Sequence, residues 1–190
     1  GAGGFLGHSV MPVLTEAYPG DTVIGVSRMD YDLLKSNEAS CMLQEIKPDI
    51  LVHLAALSGG IGSNKRFPAD YFYQNIMLTV PVFEAARQAG VKKLVYPMGG
   101  CSYPAKASSP IDESQMWDGY PQPESAGYSA AKKMGLVASQ SFRQQYGFNS
   151  VFLMPVNLYG PRDNFNPESS HVIPALIKKC LEARACGAES

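Results

Sequence analysis

Stretches with apolar residues at helical spacing alternate with short apolar runs along most of this chain, and that alternation restricts the possible folds most. The clearest run is Ile50-Leu51-Val52-His53-Leu54-Ala55-Ala56, continuous in apolar character and of strand length. Such a run suits a strand of a parallel sheet covered on both faces. Around it the sequence predicts helices over 8–18, 40–46, 68–90, 125–146 and 170–185. Strands are predicted over 21–27, 50–56, 93–98 and 150–156. Pro19-Gly20 and Lys47-Pro48 stop the first two helices, and Pro81 predicts a kink in the third. A long loop carrying Pro104, Pro110, Pro121 and Pro123 follows the 93–98 strand. Strands alternating with helices of this length predict right-handed parallel β-α-β units in three layers.

Composition narrows the partners. Sixteen Lys and Arg against seventeen Asp and Glu leave a net charge of −1, with no basic footprint for nucleic acid. No apolar run approaches the roughly 20 residues that cross a bilayer, and no basic-then-apolar leader is present. Cys41, Cys101, Cys180 and Cys186 lack the CxxC spacing of metal or redox pairs. These features predict a reduced, cytoplasmic protein without a metal.

In open parallel sheets, ligands bind beyond the carboxyl ends of the strands. The turn at residues 1–7, the 57–64 loop, the 99–103 segment and the 157–164 loop all belong to that edge. Gly1, Gly4 and Gly7 have the G-x-x-G-x-x-G spacing ahead of a helix, with Phe5 and Leu6 inside the turn. Glycines there let the backbone approach a pyrophosphate, whose charge then meets the positive end of the helix. The strand that normally precedes such a turn is not in the sequence, so the chain is expected to be part of a longer protein. At the end of the 21–27 strand an acid would bind a ribose hydroxyl and an arginine a 2′-phosphate. Arg28 and Asp30 supply both types, with Arg28 favouring NADP over NAD.

Tyr128-Ser129-Ala130-Ala131-Lys132 places a phenol and an ammonium four positions apart, on one face of a helix. An ammonium beside the phenol, together with an oxidised nicotinamide, would draw the phenol's pKa down and make it a proton donor and acceptor near neutral pH.

Taken together, the glycine turn, Tyr-x-x-x-Lys and Asn157-Leu158-Tyr159-Gly160-Pro161 resemble the extended short-chain dehydrogenase/reductase family. Within it the likeness is to the GDP-L-fucose synthase group of nucleotide-sugar epimerase/reductases. His53-Leu54-Ala55-Ala56, Gly59-Gly60-Ile61-Gly62, Pro68-Ala69-Asp70, Cys101-Ser102-Tyr103-Pro104, Asp163-Asn164-Phe165 and residues 170–176 carry it. The resemblance implies a Rossmann-type doubly wound sheet over 1–156, lacking its first strand, and the truncated start of a nucleotide-sugar domain over 157–190. It implies NADP as cofactor, with Leu54, Ala55 and Ala56 lining its site alongside the glycine turn. Tyr128 would exchange the proton on the sugar's 4-oxygen, and Lys132 would hold the ribose. Cys101 and His171 would move protons at the carbons flanking the ketone, and Asn157 would contact the substrate. Lys178 and Lys179 would reach a diphosphate, unless they serve only as charges near a helix end. Helices 68–90 and 125–146 would pair into a four-helix bundle in a homodimer.

The sequence departs from the pattern at Gly99, where the resemblance calls for Ser or Thr. Ser102 is the nearest hydroxyl, but an odd shift along an extended segment points to the other face. Two further readings therefore stand beside the leading one. One is an epimerase using NAD without net redox change, the other a catalytically weak dinucleotide-binding homologue.

Overall fold

In the computed structural model, which describes residues 1–187, the predicted alternation is largely realised. The elements run α1 (Phe5–Ala17), α2 (Glu38–Ile46), β1 (Ile50–Val52), α3 (Ile61–Arg66), α4 (Pro68–Gln88), β2 (Lys93–Pro97), α5 (Ala126–Tyr146), β3 (Ser150–Leu153) and α6 (Val172–Ala185). The three strands form one parallel sheet in the order β1-β2-β3. Leu51 pairs with Leu94, and Val95 with Val151.

α4 is the crossover from β1 to β2, and α5 the crossover from β2 to β3. The two pack along each other. Val82, Phe83 and Ala86 of α4 are fully buried with Leu94 and Tyr96 of β2. The Phe83 ring stacks on Phe152 of β3 at 6.2 Å. Full burial of side chains such as Val82 and Phe83 stabilises the fold by roughly 1.5–3 kcal/mol each. The Tyr96 hydroxyl bonds Thr79 of α4 at 2.9 Å, so this core tyrosine keeps its polar end satisfied. Pro81 lies within α4, which continues through it as one helix.

Three expectations change. The 21–27 segment is not a strand, although its β-branched residues favour extension. A strand needs a neighbour along its length. Here only Gly1 and Ala2 lie alongside, both donating to the Val26 carbonyl at 2.9 and 3.1 Å. β1 ends at Val52, after which His53 still donates to Val95 at 2.9 Å. The 57–64 loop contains the start of α3, whose Gly62 and short length hide any helical period.

The proline-bearing loop is fastened to α5 by a buried lysine. Lys133 donates to the Met116 carbonyl at 2.6 Å, and its ammonium lies 4.8 Å from the centre of the Trp117 ring. No helix among the described residues is long and apolar enough to cross a membrane. No group of three or more potential metal ligands occurs among them, and all four cysteines are free thiols.

Candidate active site

The glycine turn packs directly on the residues that follow β1. A Cβ at Gly1 would lie 2.6 Å from the Ala55 nitrogen and 2.9 Å from Leu54 Cβ. One at Gly7 would meet the Gly1 and Ala2 carbonyls. Neither position admits a side chain, whereas Gly4 is exposed. Gly4 is also the N-cap of α1; no side chain caps this end and no acid occupies the first turn, which includes Phe5, Leu6 and Gly7. The first-turn N–H groups and the positive helix end therefore suit an anion such as a pyrophosphate. The 157–164 loop closes on the same turn, with a side chain at Gly160 starting 3.9 Å from the Phe5 ring.

Asp30 and Arg28 differ in what they have left to offer. One Asp30 oxygen accepts from the Ser27 N–H at 2.8 Å and from its hydroxyl at 2.7 Å, which lowers the carboxyl's pKa. The Arg28 side chain is 74% exposed and pairs with Asp32 at 3.3 Å. An exposed pair of this kind is weak, so the guanidinium remains available.

Across the carboxyl edge of the sheet, α5 carries Tyr128 and Lys132 on one face, as their spacing predicts. Lys132 does not lower the Tyr128 pKa in this chain. Burial pushes the phenol well above its ordinary range, and the neighbouring Cys101 and Tyr96 act in the same direction. The Lys132 ammonium instead donates to the Pro97 carbonyl at 3.1 Å and stands 4.3 Å over the Tyr96 ring. Desolvation lowers its pKa to about 8. His53 belongs to the same interior: its Nε2–H donates to the Leu78 carbonyl at 2.6 Å, and burial pushes its pKa down to about 3. It is a neutral structural group.

Cys101 follows β2 and stands beside Tyr128. A Cβ at Gly99 would lie 3.3 Å from the Cys101 sulfur and 3.8 Å from the Tyr128 oxygen, which places all three at one spot. Ser129 holds the segment by donating to the Cys101 carbonyl at 2.9 Å. The thiol opens to solvent on one side, while the protein around it desolvates the thiolate and raises its pKa. Near neutral pH both Tyr128 and Cys101 hold their protons. They are poised as acids. Gly99 has φ −136° and ψ 146°, ordinary extended backbone, so no positive φ demands a glycine there.

The third wall is the loop after β1, and here the structure adds residues the sequence did not single out. Asn75 of α4 is 1% exposed and clamps Leu57 on both sides. It accepts from the Leu57 N–H at 3.0 Å and donates to the Leu57 carbonyl at 3.0 Å, and it also donates to the Tyr71 carbonyl at 2.7 Å. Asn64 donates to the Gly59 and Gly60 carbonyls at 2.8 and 3.1 Å. Tyr71 stands edge-on to Tyr128 with ring centres 6.4 Å apart, and its hydroxyl shares a 2.9 Å bond with Ser63. Gly59 passes so close to the Tyr71 hydroxyl that no Cβ would fit. Between these pinned neighbours, exposed Ser58 turns its side chain toward Tyr128 and favours its ionised form. The available signals were Asn75, a polar residue within an apolar helix pattern, and Ser58, a hydroxyl directly after a strand.

His171 reaches this region through its neighbours. Ser169 accepts from the Gly60 N–H at 2.9 Å, and Ser170 packs on Gly60. His171 itself is the exposed N-cap of α6. Asn157 is exposed after β3. Lys178 pairs with Glu182 at 3.9 Å, and Lys179 is exposed on the same helix. These two lysines and Asn157 are not in contact with the Tyr128 group in this structure.

Comparison with known proteins agrees with this geometry. The chain is 41% identical over 162 residues to a GDP-L-fucose synthase of Sinorhizobium fredii, an alignment covering 85% of this chain and 52% of that protein. It spans about half the length of the curated relatives it matches. Among solved structures, a GDP-mannoheptose C4 reductase from Campylobacter jejuni with NADP bound superposes with a TM-score of 0.86 at 30% identity. That match covers 96% of this chain and 54% of the reductase. A GDP-L-fucose synthetase from Naegleria fowleri bound to NADP gives a TM-score of 0.87 at 26% identity, covering 98% and 57%. The sheet, its crossovers and the glycine turn are thus those of a Rossmann-type protein. Residues 1–188 match the profile of the NAD dependent epimerase/dehydratase family, and the chain belongs to that family.

Proposed function

We propose that the protein to which this chain belongs is a cytoplasmic, NADP(H)-dependent epimerase/reductase acting on a nucleotide-linked 4-keto-6-deoxy sugar. The observation that carries the reading is the joint placement of Tyr128 and Cys101, both protonated, at the carboxyl end of β2. Gly1, Gly4, Gly7, Phe5 and Leu6 cradle the dinucleotide's pyrophosphate, and Leu54, Ala55 and Ala56 line the adjoining wall. Exposed Arg28 meets the 2′-phosphate, while Asp30 is engaged by Ser27. The dinucleotide supplies a hydride to the sugar's C4.

Tyr128 gives its proton to the 4-oxygen as that carbon is reduced. Lys132 keeps its charge close by and takes the ribose, exchanging its bond to Pro97 for one to the sugar. Before reduction, the 4-ketone acidifies the C–H bonds on either side. Cys101 and His171 return protons to those carbons from the opposite face, which inverts them. Burial suits Cys101 to the donating half of that exchange. Asn157 contacts the sugar, and Lys178 and Lys179 reach its diphosphate from a substrate domain that begins within residues 157–190. The last three of those residues lie outside the described ones. Exposed Phe72, Tyr73 and Val80 on α4 and Met134 and Val137 on α5 provide the apolar face of a homodimer built as a four-helix bundle.

The test is to incubate the full-length protein with NADPH and a GDP-linked 4-keto-6-deoxyhexose. Loss of reduced-nicotinamide absorbance, with solvent deuterium entering beside the former ketone, is the expected result. Deuterium entry without nicotinamide oxidation would refute the reductase half, and neither signal would refute the reading.

A further inference from the structure

A ketone oxygen offers two lone pairs, and as hydride arrives at its carbon both gain charge. Tyr128 serves one of them. A second donor in a preorganised site is worth as much as the first, so what else stands around the Tyr128 oxygen matters. Gly99, whose absent Cβ would lie 3.8 Å from that oxygen, has no hydroxyl. The Tyr71 hydroxyl is committed to Ser63 at 2.9 Å. Ser102 is fully buried and does not open to the cleft. Cys101 offers only a weak S–H donor.

One hydroxyl is left. Ser58 is exposed at the cleft, on the Tyr128 side of the loop. Its backbone has little freedom: Asn75 holds Leu57 through two 3.0 Å bonds, and Asn64 and Ser169 hold Gly59 and Gly60. A side chain supported in this way can hold a donor in place before substrate arrives, which is what makes such a donor effective. We propose that Ser58 is the second hydrogen-bond donor to the substrate's keto oxygen, filling from the loop after β1 the position that Gly99 leaves empty. The inference rests on the reductase reading above and specifies how that site polarises its ketone. Ser58 donates without giving up its proton; the proton transferred is that of Tyr128.

The experiment compares Ser58→Ala, Ser58→Thr, Ser58→Ala combined with Gly99→Ser, and Tyr128→Phe in the full-length protein. The assay uses NADPH and the GDP-linked 4-keto-6-deoxyhexose. Ser58→Ala should lower kcat by about 10², the cost of one such donor, with NADPH affinity within twofold of the parent. Its alkaline limb should move to higher pH, because the Ser58 hydroxyl favours the ionised Tyr128. A purely structural role would leave that limb in place. Ser58→Thr should keep most of the rate. Gly99→Ser should return at least tenfold to Ser58→Ala, since the extended backbone at 99 accepts serine and the Cys101 sulfur, 3.3 Å from the new Cβ, needs to yield only slightly. If Ser58→Ala stays within threefold of the parent while Tyr128→Phe is inactive, Ser58 is not the donor and the reductase reading stands. A Ser58→Ala loss that neither Ser58→Thr nor Gly99→Ser restores also overturns the proposal. If Tyr128→Phe turns over like the parent, the reductase reading falls and this inference with it.

Discussion

Replacing Lys132 by methionine should make the protein more stable and remove its catalysis. The side chain is 4% exposed, and its ammonium has one hydrogen-bond partner, the Pro97 carbonyl, besides the Tyr96 ring. Desolvation lowers its pKa from the ordinary 10.5 to about 8. Each tenfold change in proton affinity is worth about 1.4 kcal/mol, so keeping this charge inside costs the fold roughly 3 kcal/mol at neutral pH. Methionine follows the same stem without the charge but leaves Pro97 without its donor, a loss of about 1 kcal/mol. The net gain is about 2 kcal/mol, or on the order of 5 °C in Tm for a chain of this size. The sign changes with pH in a defined way. Between about 8 and 10.5 the unfolded chain binds the proton and the folded one does not, so the parent gains stability as pH rises through that window. The variant does not, and its advantage should be full at pH 7 and gone above 10.5. Thermal unfolding followed by circular dichroism at pH 7 and near pH 10, on full-length parent and Lys132→Met, measures both. A variant that melts at or below the parent at pH 7, or a gap that persists undiminished at high pH, would refute the argument.

Tyr128→Phe keeps the ring and removes the transferable proton, so NADPH titration should be unchanged while turnover falls by at least ~10²; a loss under tenfold, about 1.4 kcal/mol, would remove Tyr128 from the role of acid. Arg28→Ala should weaken NADP binding far more than NAD binding, because only NADP carries the phosphate that the guanidinium meets; equal losses in the two titrations would make Arg28 a loop charge. His53→Gln tests the interior. The unfolded chain protonates this histidine below 6.5 and the folded chain only near 3, so the parent should lose up to about 1.4 kcal/mol per pH step as acid is added through that window. The glutamine variant, which can still donate to Leu78, should show a flatter urea-unfolding stability between pH 6 and 4, and parallel curves would place the acid sensitivity elsewhere.

The fold was legible where local pattern and long-range pairing agree. β1, β2 and β3 read as apolar runs because both faces of the sheet are covered, and α4 and α5 announced themselves by period and length. The 21–27 segment misled because β-branched residues report a preference for extension, while a strand also needs a neighbour that sequence pattern does not reveal. The site divides in the same way. Tyr128, Lys132, Cys101 and the glycine turn stand out by spacing and resemblance. Asn75 and Ser58 do not, since their importance comes from what α4 and the post-β1 loop bring together across 17 positions of sequence. The Lys132 environment was misjudged for an energetic reason. Spacing put the ammonium near the phenol, but the Pro97 carbonyl and Tyr96 ring claim it, and burial governs both pKa values.

The docking of the Glu113–Trp117 turn on α5 gives the protein a built-in optical reporter. Trp117 is the single tryptophan of the chain, so its near-ultraviolet-excited emission comes from one place. That indole is about half exposed and has the Lys133 ammonium 4.8 Å from its ring. A fixed charge at that distance shifts an indole's emission energy, and lifting the turn away would remove the shift and wet the ring. The colour and yield of this chain's fluorescence therefore read whether the loop is seated, with no label attached. The reporter stands on the segment that leads from Cys101 into α5, so a sugar arriving beside Tyr128 can be watched without waiting for chemistry.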